Sequence, residues 1–206
     1  MTDLPISVHH GFVSPEEATA TFSRLWSDLD WEERPDAPRR EYWTNTFDRS
    51  YTYGRGRGIR AYDSRPISSD IEAVRDRLAT EHGVFFEGCF LNGYRNGSDA
   101  LGFHADDDPG IDHDRPIAIV TLYDGPVVPS NWNKLARHPN HGNPVSRTIQ
   151  FMAQDDPDKV VTTVDLDHGS LIFMKAGMQS THFHRIPKAG YKVRPRISLT
   201  FRGLLP

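Results

Sequence analysis

Gly102-Phe103-His104-Ala105-Asp106 is the one place in this 206-residue chain where a histidine is followed two positions later by an acid. On a strand, side chains two apart share a face, so His104 and Asp106 can reach a single metal ion. Two ligands do not complete a centre. A second histidine from a distant strand would give two imidazoles and one carboxylate, the set that leaves coordination positions open in non-haem iron(II) oxygenases. His182 and His184, in QSTHFHRIPK, are the two candidates.

Such ligands need a scaffold that holds them from several directions. From Val84 onward, short runs rich in Val, Ile, Thr and Phe are broken by Gly, Pro, Asp and Asn. VFFEGCFLNGY, RPIAIVTLY, SRTIQFMAQ, KVVTTVDL, GSLIFMKA and RISLTFRG read as strands. With no helix signals between them, residues 84–206 are expected to form an antiparallel sandwich or jelly roll. Ahead of them, Ser14-Pro15-Glu16-Glu17 is a capping box, and Ala18, Phe22, Leu25, Trp26 and Leu29 follow at helical spacing. Ser69-Asp70-Ile71-Glu72 opens a second helix whose apolar face, Ile71, Val74 and Leu78, runs until Gly83. The expected architecture is one mainly β domain of the α+β class over residues 1–206, with two N-terminal supporting helices that precede every strand of the core. Residues 38–65 are rich in Arg, Tyr and Gly, and YTYGRGRGIRAY suits an exposed, mobile hairpin. Residues 124–145, rich in Pro, Asn and His without periodicity, are longer than the usual connection and read as a functional insertion loop.

Bulk properties narrow the classes. With 24 Lys and Arg against 28 Asp and Glu, the net charge of -4 gives no global basic field, so a nucleic-acid partner must be held by a local patch. Cys89 is the single cysteine and cannot form an internal disulfide, and MTDLPISVHH lacks the regions of a signal peptide. No apolar run approaches the roughly 20 residues that cross a bilayer. A soluble, monomeric protein of a reducing cytoplasm, or of the nucleus in a eukaryote, is expected.

Longer stretches of the chain resemble the AlkB family of iron(II)- and 2-oxoglutarate-dependent dioxygenases. FEGCFLNGYRNGSDALGFHADDD is similar to the family's run in which Asn-x-Tyr precedes Gly-Trp-His-x-Asp. HGSLIFMKAG, HRIPK and RPRISLTFRG are similar to its closing strands, and PRREYW and YTYGRG to its substrate-facing lid. The resemblance implies a double-stranded β-helix with His104, Asp106 and His184 as iron ligands, because His184 stands directly before Arg-Ile-Pro; His182 is left as a hydrogen-bonded pocket or surface residue. It makes Arg196 the partner of the distal carboxylate of 2-oxoglutarate, a role suited to a bidentate, always-charged guanidinium. Arg202, on the same strand face, would support the cosubstrate's other end, and Asn92 and Tyr94 would supply neutral hydrogen bonds. Fe(2+), 2-oxoglutarate and O2 are the implied cofactors.

The departures are Glu87 for a frequent Asn, Phe103 for the usual Trp, and the 124–145 insertion, which falls where the family's strands run on directly. For the substrate, the resemblance places Tyr51 and Tyr53 in the mouth and gives Asp108 a hydrogen bond from the exocyclic amine of a base. Arg49, Arg55, Arg57 and Arg60 among Tyr51, Tyr53 and Tyr62 combine phosphate-binding charge with stacking faces, as single strands and extruded bases require. The implied activity is oxidative demethylation or dealkylation of a base in damaged or single-stranded DNA or RNA, releasing formaldehyde, succinate and CO2. Two other readings stay open: a hydroxylase of a protein side chain, small molecule or unmethylated base, and a non-catalytic nucleic-acid-binding jelly roll.

Overall fold

The last strand, Arg196–Arg202, carries the division of the molecule in its own alternation. Ile197, Leu199 and Phe201 point to one side, and Arg196, Ser198, Thr200 and Arg202 to the other, all seven buried. A computed structural model describes residues 4–35, 37–54, 59–127, 143–156 and 159–206. In chain order its elements are β1 (Ile6–His9), α1 (Pro15–Asp28), β2 (Glu32–Glu33), β3 (Arg40–Asn45), β4 (Tyr51–Tyr53), β5 (Arg60–Tyr62) and α2 (Ser69–His82). Then follow β6 (Gly88–Tyr94), β7 (Leu101–His104), β8 (Ile117–Tyr123), β9 (Arg147–Ala153), β10 (Val160–Leu166), β11 (Leu171–Met174), β12 (His182–Ile186) and β13 (Arg196–Arg202).

Seven strands form a large antiparallel sheet in the order β1-β11-β8-β13-β6-β3-β2, four form a smaller one, β10-β9-β12-β7, and β4 pairs with β5. Phe22 and Leu25 of α1 and Ile71 and Leu78 of α2 pack with Leu91, Val120 and Leu199 on one face of the large sheet. The opposite face meets the small sheet through Ile117, Ile119, Ile149, Phe151 and Ile186. β13, hydrogen-bonded on both flanks to β6 and β8, therefore presents its polar side chains between the sheets.

The helix signals hold with one shift. Ser14 Oγ accepts from Glu17 N–H as the capping box requires, but the second helix is capped by Ser68, whose Oγ accepts from Ile71 N–H. Gly83 ends it at φ 70°, a left-handed C-cap that a side chain would strain. The helices do not precede every strand. β1, β2 and β3 join the large sheet, so the core extends beyond residues 84–206. Residues 38–65, expected to be exposed, are likewise only partly so. Tyr42 and Trp43 of β3 are buried in the sheet, and Tyr51 and Tyr62 of the hairpin are buried as well, because aromatic rings at alternate positions pack on Phe90. Arg55 and Arg57 lie outside the described residues, as does most of the expected 124–145 loop.

His168 pins α1 to the barrel. Its Nδ1 accepts from Tyr123 N–H at 3.0 Å, and its Nε2 lies 2.9 Å from Thr19 Oγ1. Burial lowers its pKa below 6.5. As pH falls, the unfolded chain takes up this proton first, so the contribution of His168 to stability is full above pH 6.5 and declines below it. Urea unfolding at stepped pH should give a shallower acid-side slope in His168→Gln than in the parent, by at most about 1.4 kcal/mol per pH unit.

Candidate metal centre and cosubstrate pocket

β7 and β12 are neighbours, and their register places His104 directly across from His184, with ring centroids 4.2 Å apart. His104 Nδ1 lies 2.9 Å from the carbonyl oxygen of Gly102, to which it must donate, so Nε2 carries the lone pair. The Nε2 atoms of His104 and His184 each lie 3.9 Å from an oxygen of Asp106. One ligand atom from each residue lies within 4.8 Å of the others. Burial, then the adjacent His104 ring, pulls His184 down to about 3, and burial lowers His104, so both imidazoles are neutral at pH 7 and free to act as ligands. Burial opposes ionisation of Asp106, but the charge and hydrogen bond of the adjacent Arg202 outweigh it and hold the carboxyl below its usual range. Asp106 itself lies beyond the end of β7. The strand alternation that singled out His-x-Asp accounts for His104 and not for Asp106.

Arg202 Nη2 donates to Asp106 Oδ1 at 2.6 Å. Arg196, fully buried, lies opposite Tyr94 and Tyr123 in the ladder, with its guanidinium 5.0 Å from the centre of the Tyr94 ring. Among the described residues the one hydrogen bond of its guanidinium is Nη2 to Thr121 Oγ1 at 3.5 Å. Asp106 Oδ2 and the Nε and Nη1 atoms of both Arg196 and Arg202 are buried with no hydrogen-bond partner among the described residues. Asn92 Oδ1 accepts from Arg39 Nε at 2.6 Å, and Arg39 is paired with the buried Glu41 at 2.5 Å.

Beside the triad a cleft of about 610 Å³ is lined by Tyr53, His104, Asp107, Asp108, Gln154 and Phe183. The edge of Tyr53 meets His104, with centroids 6.0 Å apart. Tyr51 donates a short hydrogen bond to Asp108, and burial raises the pKa of that carboxyl. Burial also pushes Tyr53 up to about 12, so its phenol stays neutral.

A model of the 2OG-Fe(II) oxygenase superfamily matches residues 5–202. The chain belongs to this superfamily. It is AlkB-like: it is 25% identical to human alpha-ketoglutarate-dependent dioxygenase alkB homolog 3 over 98% of this chain and 66% of that protein. It is 30% identical to the DNA oxidative demethylase ALKBH2 of Mus musculus over 69% of this chain and 53% of that one. The chain thus spans just under two thirds of the length of alkB homolog 3. In fold it is similar to OsALKBH1, with TM-score 0.63 and 14% identity over 98% of both chains. A Pseudomonas putida prolyl-4-hydroxylase gives TM-score 0.53 and 14% identity over 98% of this chain and 94% of that one. The double-stranded β-helix expected from the sequence is therefore the fold.

The superfamily's iron(II), 2-oxoglutarate and O2 fit the residues present. Two neutral nitrogens and a carboxylate suit iron(II), and the unpartnered guanidinium donors suit a cosubstrate with a carboxylate at each end. The fold brings His104, Asp106, His184, Asn92, Arg202, Tyr51 and Tyr53 to one region. Arg49 instead donates to the Leu205 carbonyl oxygen and stacks on Phe47, and Arg60 lies 3.7 Å from Glu41. His182, partly exposed, contacts Thr181 Oγ1 and is not among the three residues whose ligand atoms cluster. Sequence reasoning missed Arg147, whose buried guanidinium donates to the carbonyl oxygens of Asn96, Asp99 and Pro187 and lies 5.5 Å from the Tyr94 ring centre. It also missed Ser198 and Thr200, which the alternation of RISLTFR places on the arginine face. Among the described residues no helix is long and apolar enough to cross a membrane.

Proposed function

We propose that this chain is an iron(II)- and 2-oxoglutarate-dependent oxidative demethylase of nucleic-acid bases. The observation that carries the reading is the cleft that joins the triad to Tyr53 and to an Asp108 fixed by Tyr51. The names of the similar proteins, a DNA oxidative demethylase among them, support it.

His104, Asp106 and His184 would hold the metal on one side, and Arg202 keeps one carboxylate oxygen of Asp106 oriented. When bound, iron(II) with 2-oxoglutarate and O2 supplies the oxidation of an N-linked methyl group, which leaves as formaldehyde while 2-oxoglutarate becomes succinate and CO2. Arg196 would take the distal carboxylate of the cosubstrate through Nε and Nη1, with Asn92 and Tyr94 adding neutral contacts. A base flipped from a damaged or single strand would enter between Tyr53 and the cleft wall. Asp108, held by Tyr51, would accept from its exocyclic amine. The acidic mouth formed by Asp107 and Asp108 favours a base made cationic by alkylation, and disfavours passage of phosphates on that side.

Mass spectrometry of a panel of methylated DNA and RNA oligonucleotides, incubated with the protein, iron(II), 2-oxoglutarate and ascorbate, tests this directly. Loss of a methyl group with matching formaldehyde and succinate is expected. Asp108→Ala should lower demethylation about tenfold to a hundredfold, the worth of one charge-assisted hydrogen bond, while substrate-free succinate formation continues. Succinate formation with every oligonucleotide left methylated would reject nucleic-acid demethylation and favour the hydroxylase reading.

A further inference from the structure

The strand that carries His104 ends at His104, so Asp106 has no place in a ladder. Its backbone N–H instead donates to Gln179 Oε1 at 2.9 Å. Gln179 is 7% exposed and sits in the short 3-10 turn Met178–Ser180, which connects β11 to the strand bearing His184. Its Nε2 faces Met174 Sδ at 3.6 Å, and its carbonyl oxygen accepts from Gln154 Nε2 at 2.9 Å. An N–H needs an acceptor and a thioether is only a weak acceptor, so the amide has one satisfactory orientation, with Oε1 toward Asp106. The turn is held from β11 on one side and from the end of β9 on the other. Gly177 opens it at φ 76°, a conformation that a side chain would strain.

We propose that Gln179 is a positioning residue of the metal centre: its side-chain carbonyl fixes the backbone of Asp106 so that the carboxylate faces both imidazoles. Two clamps then act on one ligand. Gln179 sets where the backbone lies, and Arg202 sets which way the carboxylate turns. The same amide ties the turn before His184 to the residue after His104, so the ligands from β7 and β12 are kept in one frame. This role rests on His104, Asp106 and His184 being the metal site. Partners that orient ligands typically matter about tenfold to a hundredfold in metal affinity.

Co(II), titrated by absorbance into the metal-free protein, is the probe. Gln179→Met keeps length and apolar bulk but removes the acceptor; it should bind Co(II) about tenfold to a hundredfold more weakly, with an altered ligand-field band. Gln179→Glu keeps an acceptor for the Asp106 N–H and should bind Co(II) close to the parent. Parent-like binding and spectrum in Gln179→Met, or a loss in Gln179→Glu as large as in Gln179→Met, would overturn the positioning role. Should Gln179→Met fail to fold, Gln179→Glu decides alone: retained binding supports the role and a loss as large as that of His104→Ala overturns it. Parent-like binding by His104→Ala would instead overturn the metal-centre reading on which the role depends.

Discussion

Replacing His104, Asp106 or His184 with alanine is expected to lower metal affinity more than about a hundredfold, beyond what loss of an orienting partner costs, and to end 2-oxoglutarate turnover. His182→Ala should keep both. His104 and His184 face each other across β7 and β12, whereas His182 is turned to Thr181. Asp106→Ala has a further consequence, because it strands a buried Arg202 whose main partner is that carboxylate. Breaking a buried ion pair from one side costs about 3–5 kcal/mol, so Asp106→Ala should also lower the melting temperature of the metal-free protein. Asp106→Asn keeps an acceptor for Arg202 and should fold better while still binding metal poorly. Isothermal titration with Co(II) and thermal melts separate the two effects. Tight binding by His184→Ala with loss in His182→Ala would move the ligand by two positions along β12.

Most of the candidate site is legible in the sequence because its parts are local patterns. His-x-Asp, Asn-x-Tyr and an arginine at each end of RISLTFR are visible without any fold, and the period of two already separates the polar from the apolar side of β13. What stayed hidden depends on contacts between distant segments. Gln179 lies 73 residues from the N–H that it receives, and nothing in QSTHFH marks it. Glu41 reads as a surface acid in an arginine-rich stretch, yet it is fully buried because Arg39 and Tyr62 satisfy both of its oxygens. The same network explains why this stretch is less exposed than its composition suggests. Residues 38–65 look solvated because charge and glycine dominate, but among the described residues Arg39 is held by Glu41, Arg65 by Asp30 and Arg49 by a backbone carbonyl, and Tyr51 and Tyr62 pack inward on Phe90. Composition records how many charges a segment has and not how many are already paired. The N-terminal strands β1 and β3 escaped notice for a related reason: each pairs with a strand far along the chain, Met174 to Leu171 for β1 and Gly93 to Gly88 for β3.

Arg196→Lys is expected to raise the 2-oxoglutarate concentration needed for half-maximal binding about thirtyfold, equivalent to about 2 kcal/mol. An ammonium is a point charge on a flexible stem and cannot present the planar pair of donors that Nε and Nη1 offer to a carboxylate. The position is rigid, since β13 is bonded on both sides and the guanidinium lies over Tyr94, so the pocket has little freedom to close around a shorter donor. Arg196→Met carries the argument further. It removes the cosubstrate's anchor altogether, and 2-oxoglutarate binding should fall more than in the lysine variant. In the absence of cosubstrate, however, the parent keeps a buried cation with two donors unmet by protein, a cost of about 1–3 kcal/mol that methionine does not carry. The metal-free, cosubstrate-free Arg196→Met protein should therefore melt at or above the parent temperature while the parent alone is stabilised by added 2-oxoglutarate. Two melts per protein, with and without the cosubstrate, decide it. A variant that melts lower than the parent without ligand would show that Arg196 is held for the fold, and an equal shift with ligand would show that another group receives the distal carboxylate. The opposite signs expected of the two melts tie the buried charge at this strand end to the cosubstrate and not to the stability of the sheet.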